Sequence, residues 1–346
     1  MRRRPLPWVS LRKIVQGLAF IGFLVVWVKT AGVPWSAGWS QLPVNLDPLI
    51  ALAVTLSTRT LVTGLLLSLI VIGLTLIFGR AWCGWLCPLG TVLDIFSFRK
   101  ARTRKPVPET WRKGKFILLA VILIAGLFGN LSLLILDPIS LWVRTLSGGV
   151  APVLDTAFTA AEHFLANIAW LNGPLVWLDQ LVRPAILPLE PVGARLVWLP
   201  LLIFSSIILL NLRAERFWCR YLCPLGGLLG WISKIALFKR QVGSDCTQCG
   251  LCNRACPTGT IDPARGYASD PAECTLCMNC LSSCPQGKTS FRSPISLGEK
   301  QAYDLTRRDF LVGGAAALTG LAVLGTENLE RSAPTTLIRP PGVLGD

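Results

Sequence analysis

Cys246-Thr247-Gln248-Cys249-Gly250-Leu251-Cys252-Asn253-Arg254-Ala255-Cys256-Pro257 and Cys274-Thr275-Leu276-Cys277-Met278-Asn279-Cys280-Leu281-Ser282-Ser283-Cys284-Pro285 write one spacing twice. Three close thiolates of such a run wrap one cubane iron–sulfur cluster, and the fourth, before proline, crosses to the other. The expected ligand sets are therefore Cys246, Cys249, Cys252 and Cys284 for one 4Fe–4S cluster, and Cys274, Cys277, Cys280 and Cys256 for a second. A zinc ribbon needs two Cys-x-x-Cys knuckles rather than two runs of four. Disulfides need an oxidising compartment. This spacing implies electron transfer.

Outward from that stretch the composition changes. Of 346 residues 52% are hydrophobic and 15% charged, so the chain reads as a membrane protein rather than a soluble domain. Crossing a bilayer core takes about 20 apolar residues. Four runs are expected to span: 14–28, 61–78, 116–136 and 196–212. A fifth membrane segment, 310–325, is rich in glycine and alanine.

The net charge of +15 reports topology rather than a nucleic-acid partner. Arg2, Arg3, Arg4, Arg12 and Lys13 precede the first run; Arg80, Arg99, Lys100, Arg102, Arg104, Lys105, Arg112, Lys113 and Lys115 lie between the second and third. Arg213, Arg216, Arg220, Lys234, Lys239 and Arg240 follow the fourth. The segment between the third and fourth runs is poor in basic residues. This alternation places the N-terminus and the eight-cysteine segment in the cytoplasm of a bacterial inner membrane protein. The expected fold is mainly α, polytopic, with four transmembrane helices in two related halves and a small α+β domain for two clusters. The expected divisions are a membrane domain over 1–240, the cluster domain over 241–295, a twin-arginine motif and anchor over 296–325, and a periplasmic tail over 326–346 that leads toward a further domain.

The halves are visible as a repeat. Asp47-Pro48 opens the first and Cys83-Gly84-Trp85-Leu86-Cys87-Pro88-Leu89-Gly90 ends it. Asp137-Pro138 opens the second, which ends in Cys219-Arg220-Tyr221-Leu222-Cys223-Pro224-Leu225-Gly226. The second half carries an insertion, 147–195, expected on the periplasmic surface. Cys83/Cys87 and Cys219/Cys223 are spaced i, i+4, so each pair shares a helix face. Three roles are open to them: a third cluster with thiolates from both halves, a redox-active dithiol, or a soft-metal site; the alternative is four small, inert buried residues. Asp47 and Asp137 start helices well as N-caps before proline. They are also candidate proton acceptors near a quinol site, as intramembrane carboxylates often are.

His163 is the single histidine, so bis-histidine haem ligation is excluded, and no Cys-x-x-Cys-His attachment site occurs. No glycine-rich dinucleotide fingerprint supports NAD or FAD chemistry. Thr306-Arg307-Arg308-Asp309-Phe310-Leu311 before a weakly apolar run has the form of a Tat export signal.

With its paired Cys-x-x-x-Cys-Pro motifs, four apolar runs and doubled cluster motif, the chain over residues 1 to 295 resembles the NapH/MauN family of membrane ferredoxin-type proteins. That resemblance implies a quinol dehydrogenase component that takes electrons from the quinone pool to a periplasmic acceptor. The implied partner is a NapG-type ferredoxin or a cytochrome. Two alternatives of other classes stand beside it: an assembly factor that reduces a metal for a respiratory metalloenzyme, and a redox-sensing regulator.

Overall fold

The computed structural model describes residues 7–32, 41–97, 109–166, 177 and 198–292. The twin-arginine motif, the fifth membrane segment, the tail and most of the insertion lie outside the described residues. The elements used below are α1 (Pro7–Gly32), α2 (Pro48–Thr58), α3 (Ser68–Phe78), α4 (Ala81–Trp85), α5 (Pro88–Ile95), α6 (Gly114–Leu127), α7 (Pro138–Thr145), α8 (Ala151–Leu165), α9 (Trp198–Asn211), α10 (Pro224–Ser233), α11 (Leu251–Arg254) and α12 (Asn279–Ser283).

The sequence repeat is a structural repeat. Each half runs from a long helix (α1, α6) to an Asp-Pro helix (α2, α7), an apolar helix (α3, α9), a cysteine turn, and a short closing helix (α5, α10). Asp47 caps α2 by accepting from the amides of Leu49 and Ile50. Asp137 does the same for α7 from Ile139 and Ser140. One side-chain oxygen thus satisfies two of the amides that a helix start leaves free. The closing helices both begin with proline after a cysteine in extended backbone, where proline's missing N–H costs nothing.

The halves exchange helices. Gly126 of α6 lies against α2, where a Cβ would meet the Ala53 carbonyl at 3.3 Å. In the mirrored contact, Trp142 of α7 meets Phe20 of α1 in a tilted pair with ring centroids 5.2 Å apart. Each Asp-Pro helix therefore packs on the long helix of the other half. The core between them contains Leu49, Leu89, Ile139 and Leu225, all fully buried, together with all four cysteines of the two turns.

The four expected spans are realised unequally. Among the described residues one helix, Trp8–Lys29, is long and apolar enough to cross a bilayer. The run 61–78 becomes a 3-10 turn, Thr63–Leu67, feeding α3. The run 116–136 is interrupted after α6, where Gly129 takes φ +81° before another 3-10 turn. The helices α3, α6 and α9 nonetheless leave Leu69, Ile70, Ile117, Ile124, Leu202 and Leu209 exposed. Asp47 and Asp137 are fully buried.

The eight-cysteine segment is built on two small antiparallel ribbons. β1 (Lys239–Val242) pairs with β4 (Thr289–Arg292), Arg240 opposite Phe291, and closes the segment's ends together. β2 (Ile261–Asp262) pairs with β3 (Ala268–Ser269) between the two cysteine runs.

Candidate metal centres

Both cysteine runs fold alike. Gln248 and Leu276, each preceding the second cysteine, have φ of +53° and +47°; Gly250 and Met278, each following it, have +72° and +61°. Left-handed backbone at non-glycine residues carries strain of about 1–3 kcal/mol each, and its repetition at equivalent positions marks a built site. Such loops turn successive amides inward and make a nest for an anion. The structure brings Cys246, Cys249, Cys252 and Cys284 around one cavity, with Tyr267 beside them. It brings Cys256, Cys274, Cys277 and Cys280 around another, closed by Thr258, Met278 and Phe291. The crossing of the fourth cysteine, Cys284 to the first set and Cys256 to the second, is thus present in the fold. His163 sits in the last turn of α8 and lines neither cavity.

Burial governs the free thiols. It pushes Cys277 up to about 12, with the Cys256 sulfur adding to the effect. Burial also raises Cys284, but backbone amides of Lys288, Gln286 and Gly287 outweigh it and bring the thiol below its ordinary value. Buried thiolates need a cation in their midst to be stable, which is what iron supplies. Among the described residues no three His, Cys, Asp or Glu side chains converge on one point to hold a single ion. Cubane thiolates each bind a separate iron and need no such point.

The two cysteine turns of the repeated halves form a third group. Cys83, Cys87, Cys219 and Cys223 are all buried, and they interact electrostatically across the halves. The Cys223 sulfur accepts from the Gly226 amide at 3.2 Å. Around them lies a feature that sequence reading assigned only to topology. The repeat is longer than its cysteines: Arg80-x-Trp82-Cys83 in one half matches Arg216-x-Trp218-Cys219 in the other. Both arginines are 1% exposed. Arg80 donates to the Cys219 carbonyl at 3.4 Å, and Arg216 donates to the Cys83 carbonyl at 3.3 Å. Each half's guanidinium thus reaches the other half's first cysteine.

Each arginine also needs a carboxylate. Arg216 forms a two-pronged pair with Asp94 of α5, at 2.8 and 2.7 Å, and Asp94 accepts further from Arg12 and Gln16 of α1. The position matching Asp94 in the second half is Gly230. There the carboxylate comes from the cluster domain: Glu273, 3% exposed, pairs with Arg80 at 3.5 Å, with Lys115 of α6, and with Arg112 at 4.0 Å. A Cβ at Gly230 would stand 2.8 Å from the Ala272 carbonyl, so glycine leaves the room that the docking loop occupies. The same loop takes an Arg80 hydrogen bond at the Ala272 carbonyl (2.7 Å) and a Trp85 indole bond at the Leu276 carbonyl (3.0 Å). Gly84, between Cys83 and Cys87, lies so close to Thr275 that a Cβ there would be 2.0 Å from its carbonyl oxygen. The loop carrying Cys274 and Cys277 is therefore seated directly on the Cys83–Cys87 turn.

Comparison with known proteins follows the same division. A family described as a 4Fe-4S binding domain matches residues 60–106 and 196–244. Those stretches contain the two Cys-x-x-x-Cys turns and stop before Cys246. Over 265 residues the chain is 26% identical to the methylamine utilization ferredoxin-type protein MauN of Methylobacillus flagellatus, covering 74% of this chain and 77% of the relative. MauN of Methylorubrum extorquens is also 26% identical over 265 residues, covering 72% and 74%. The ferredoxin-type protein NapH of Haemophilus influenzae is 26% identical over 243 residues, 68% of each chain. No solved structure matches. Folded cysteine loops and these relatives together define an iron–sulfur, ferredoxin-type electron-transfer protein. More narrowly, the chain is similar to the ferredoxin-type proteins NapH and MauN.

Proposed function

We propose that this chain oxidises quinol at a bacterial inner membrane and passes the electrons through three cysteine-held centres toward a periplasmic acceptor. Cys246, Cys249, Cys252 and Cys284 would hold one 4Fe–4S cluster; Cys274, Cys277, Cys280 and Cys256 a second. Cys83, Cys87, Cys219 and Cys223 would hold a third. Bound there, the clusters supply one-electron acceptance to a two-electron donor. The rest is the work of the chain's own residues. Arg80 and Arg216 hold the two cysteine turns face to face, and Glu273 fixes the second cluster's loop upon them. The observation that carries this reading is the direct seating of Thr275 on Gly84, because electron transfer slows steeply as donor and acceptor sites move apart.

The family implies the quinone pool and a NapG-type ferredoxin or cytochrome partner, which this reading adopts. The exposed apolar faces of α3, α6 and α9 support a four-helix membrane domain, with lipid covering what water would not. The basic-residue pattern supports a cytoplasmic side for the cluster domain.

Iron analysis tests the proposal. Anaerobically purified protein should carry about twelve irons per chain, falling to about eight in Cys83→Ser/Cys219→Ser, since each cubane holds four. Eight irons in both proteins would remove the third cluster. Quinol-dependent reduction that survives the double substitution would remove the electron path itself.

A further inference from the structure

Arg240 is a buried charge with no counter-charge. It stands in β1 opposite Phe291 and is 7% exposed. Its Nη1 donates to the Tyr267 carbonyl at 2.6 Å, while its Nε and Nη2 are sealed from solvent and have neither a carboxylate nor any other acceptor among the described residues. A guanidinium cannot shed its proton. A charge buried in this way is costly unless something of opposite sign adjoins it. What adjoins it is the cavity of Cys256, Cys274, Cys277 and Cys280, where Arg240 is the one cation in the wall among the described residues. The other cluster site differs. The cation lining the cavity of Cys246, Cys249, Cys252 and Cys284 is Lys288, whose side chain is 39% exposed and paired with Asp245. A pair in water contributes little. The Arg240 charge reaches Cys252 of this first set as well as Cys280 of the second, but only the second cavity has Arg240 in its wall.

We propose that Arg240 sets the potential of the second cluster, its unpaired buried charge holding the electron that arrives there. The inference rests on the reading of both cysteine sets as 4Fe–4S sites. A cubane held by four thiolates is an anion, and its reduction adds one electron and no proton, so the negative charge grows by one. A fixed positive charge in a buried setting stabilises that reduced form more than the oxidised one. Net charge and hydrogen bonds to sulfur are among the factors that set such potentials, and the unpartnered Nε and Nη2 hydrogens of Arg240 offer both. Arg112 adds a second cation to the same site, donating to the Thr258 and Gly259 carbonyls at 3.4 and 2.6 Å. Arg240 thereby favours residence of the electron at the cluster whose loop is seated on the Cys83–Cys87 turn.

Redox titration of the anaerobically purified full chain, followed by electron paramagnetic resonance, tests this. Arg240→Gln should weaken the second cluster's hold on its electron about tenfold, a shift of about 59 mV to lower potential, with iron content unchanged. Arg240→Lys keeps a charge and should stay near the unmodified value. Phe291→Glu, on the facing strand, gives Arg240 a carboxylate while leaving it in place. It should lower the potential in the same direction, which keeps the test open if Arg240→Gln loses iron. Lys288→Gln removes the exposed cation of the first cavity and should move neither cluster by as much. A Cys249→Ser background alters the first cluster's signal and so tells the two apart. Unchanged potentials in both Arg240→Gln and Phe291→Glu overturn the proposal. So does a larger shift at the first cluster than at the second, or an Arg240→Lys protein that behaves like Arg240→Gln. A chain with no reducible 4Fe–4S signal overturns instead the reading on which the proposal rests.

Discussion

Removing the Glu273 charge should undock the eight-cysteine segment from the two repeated halves while leaving its cysteines in place. In Glu273→Gln, Arg80 and Lys115 keep their burial, 1% and 0% by side chain, and lose their carboxylate. Breaking a buried pair in this way costs about 3–5 kcal/mol, because the surviving charges have no other partner at hand. That corresponds to a roughly 10²- to 10⁴-fold shift from docked toward undocked. The bonds to the Ala272 and Leu276 carbonyls, and that of Ser233 to the Pro271 carbonyl at 2.9 Å, remain to resist it. Hydrogen exchange of the amides over 272–277 follows the equilibrium, since undocking exposes the loop to solvent. Exchange should accelerate by the same factor with iron content unchanged.

A second substitution checks the reason as well as the effect. Gly230→Asp places a carboxylate where the first half has Asp94. On its own it should also undock the loop, because its Cβ meets the Ala272 carbonyl. Combined with Glu273→Gln it restores a partner for Arg80, so the thermal stability of the repeated halves should recover while exchange over 272–277 stays fast. Slow exchange in Glu273→Gln, or a double variant no more stable than Glu273→Gln, would refute the argument that the Glu273 carboxylate fills the place left by Gly230.

Three further outcomes follow from the same geometry. Gly84→Ala should loosen the junction without touching a ligand, seen as slowed electron transfer between the cysteine turns and the cluster domain, because a Cβ cannot share space with the Thr275 carbonyl. Burial raises the Asp94 carboxyl, but Arg216 and Arg12 outweigh it and hold it at about 2. Its folded value lies below the ordinary ~3.9, so its stabilisation is complete above that pH and is lost as pH falls through about 2. Acid melts of Asp94→Asn should lack this dependence and begin from a lower stability at neutral pH. Chelation of iron should cause proton uptake at pH 7, measurable in weakly buffered solution, since the buried Cys277 thiol sits near 12 when free. The strained loops should then relax, with loss of the ribbon signal in far-ultraviolet circular dichroism.

The cysteine sites were legible in the sequence because thiolate spacing is a local property: three ligands within one short loop can be read without knowing where the loop goes. Even the crossing of Cys284 and Cys256 follows from the proline-flanked fourth cysteine. Span lengths were less legible. Hydropathy counts apolar residues but cannot see Gly129 turn left-handed, or a 3-10 turn use up the start of a run. The buried arginines were hidden by their company. Arg80 and Arg216 lie among basic residues whose sum reports topology, and a charge count treats them like the rest. Their signal was positional: the repeat begins at Arg80 and Arg216, three residues before its first cysteine in both halves.

The departure from repetition carries as much as the repetition. Through Cys87-Pro88-Leu89-Gly90 and Cys223-Pro224-Leu225-Gly226 the halves agree, and seven residues past the second cysteine one has Asp94 and the other Gly230. A glycine within a closing helix reads as a small loss of helix propensity. Set beside Asp94, it marks a buried arginine whose counter-charge must come from elsewhere, because Arg80 cannot shed its proton. The carboxylate beside the second cysteine run, Glu273, stands one residue before Cys274. The missing charge in one half and the extra charge in the appended domain are therefore one feature. The same ion pair that neutralises Arg80 also holds a cluster-binding loop against the cysteine turn.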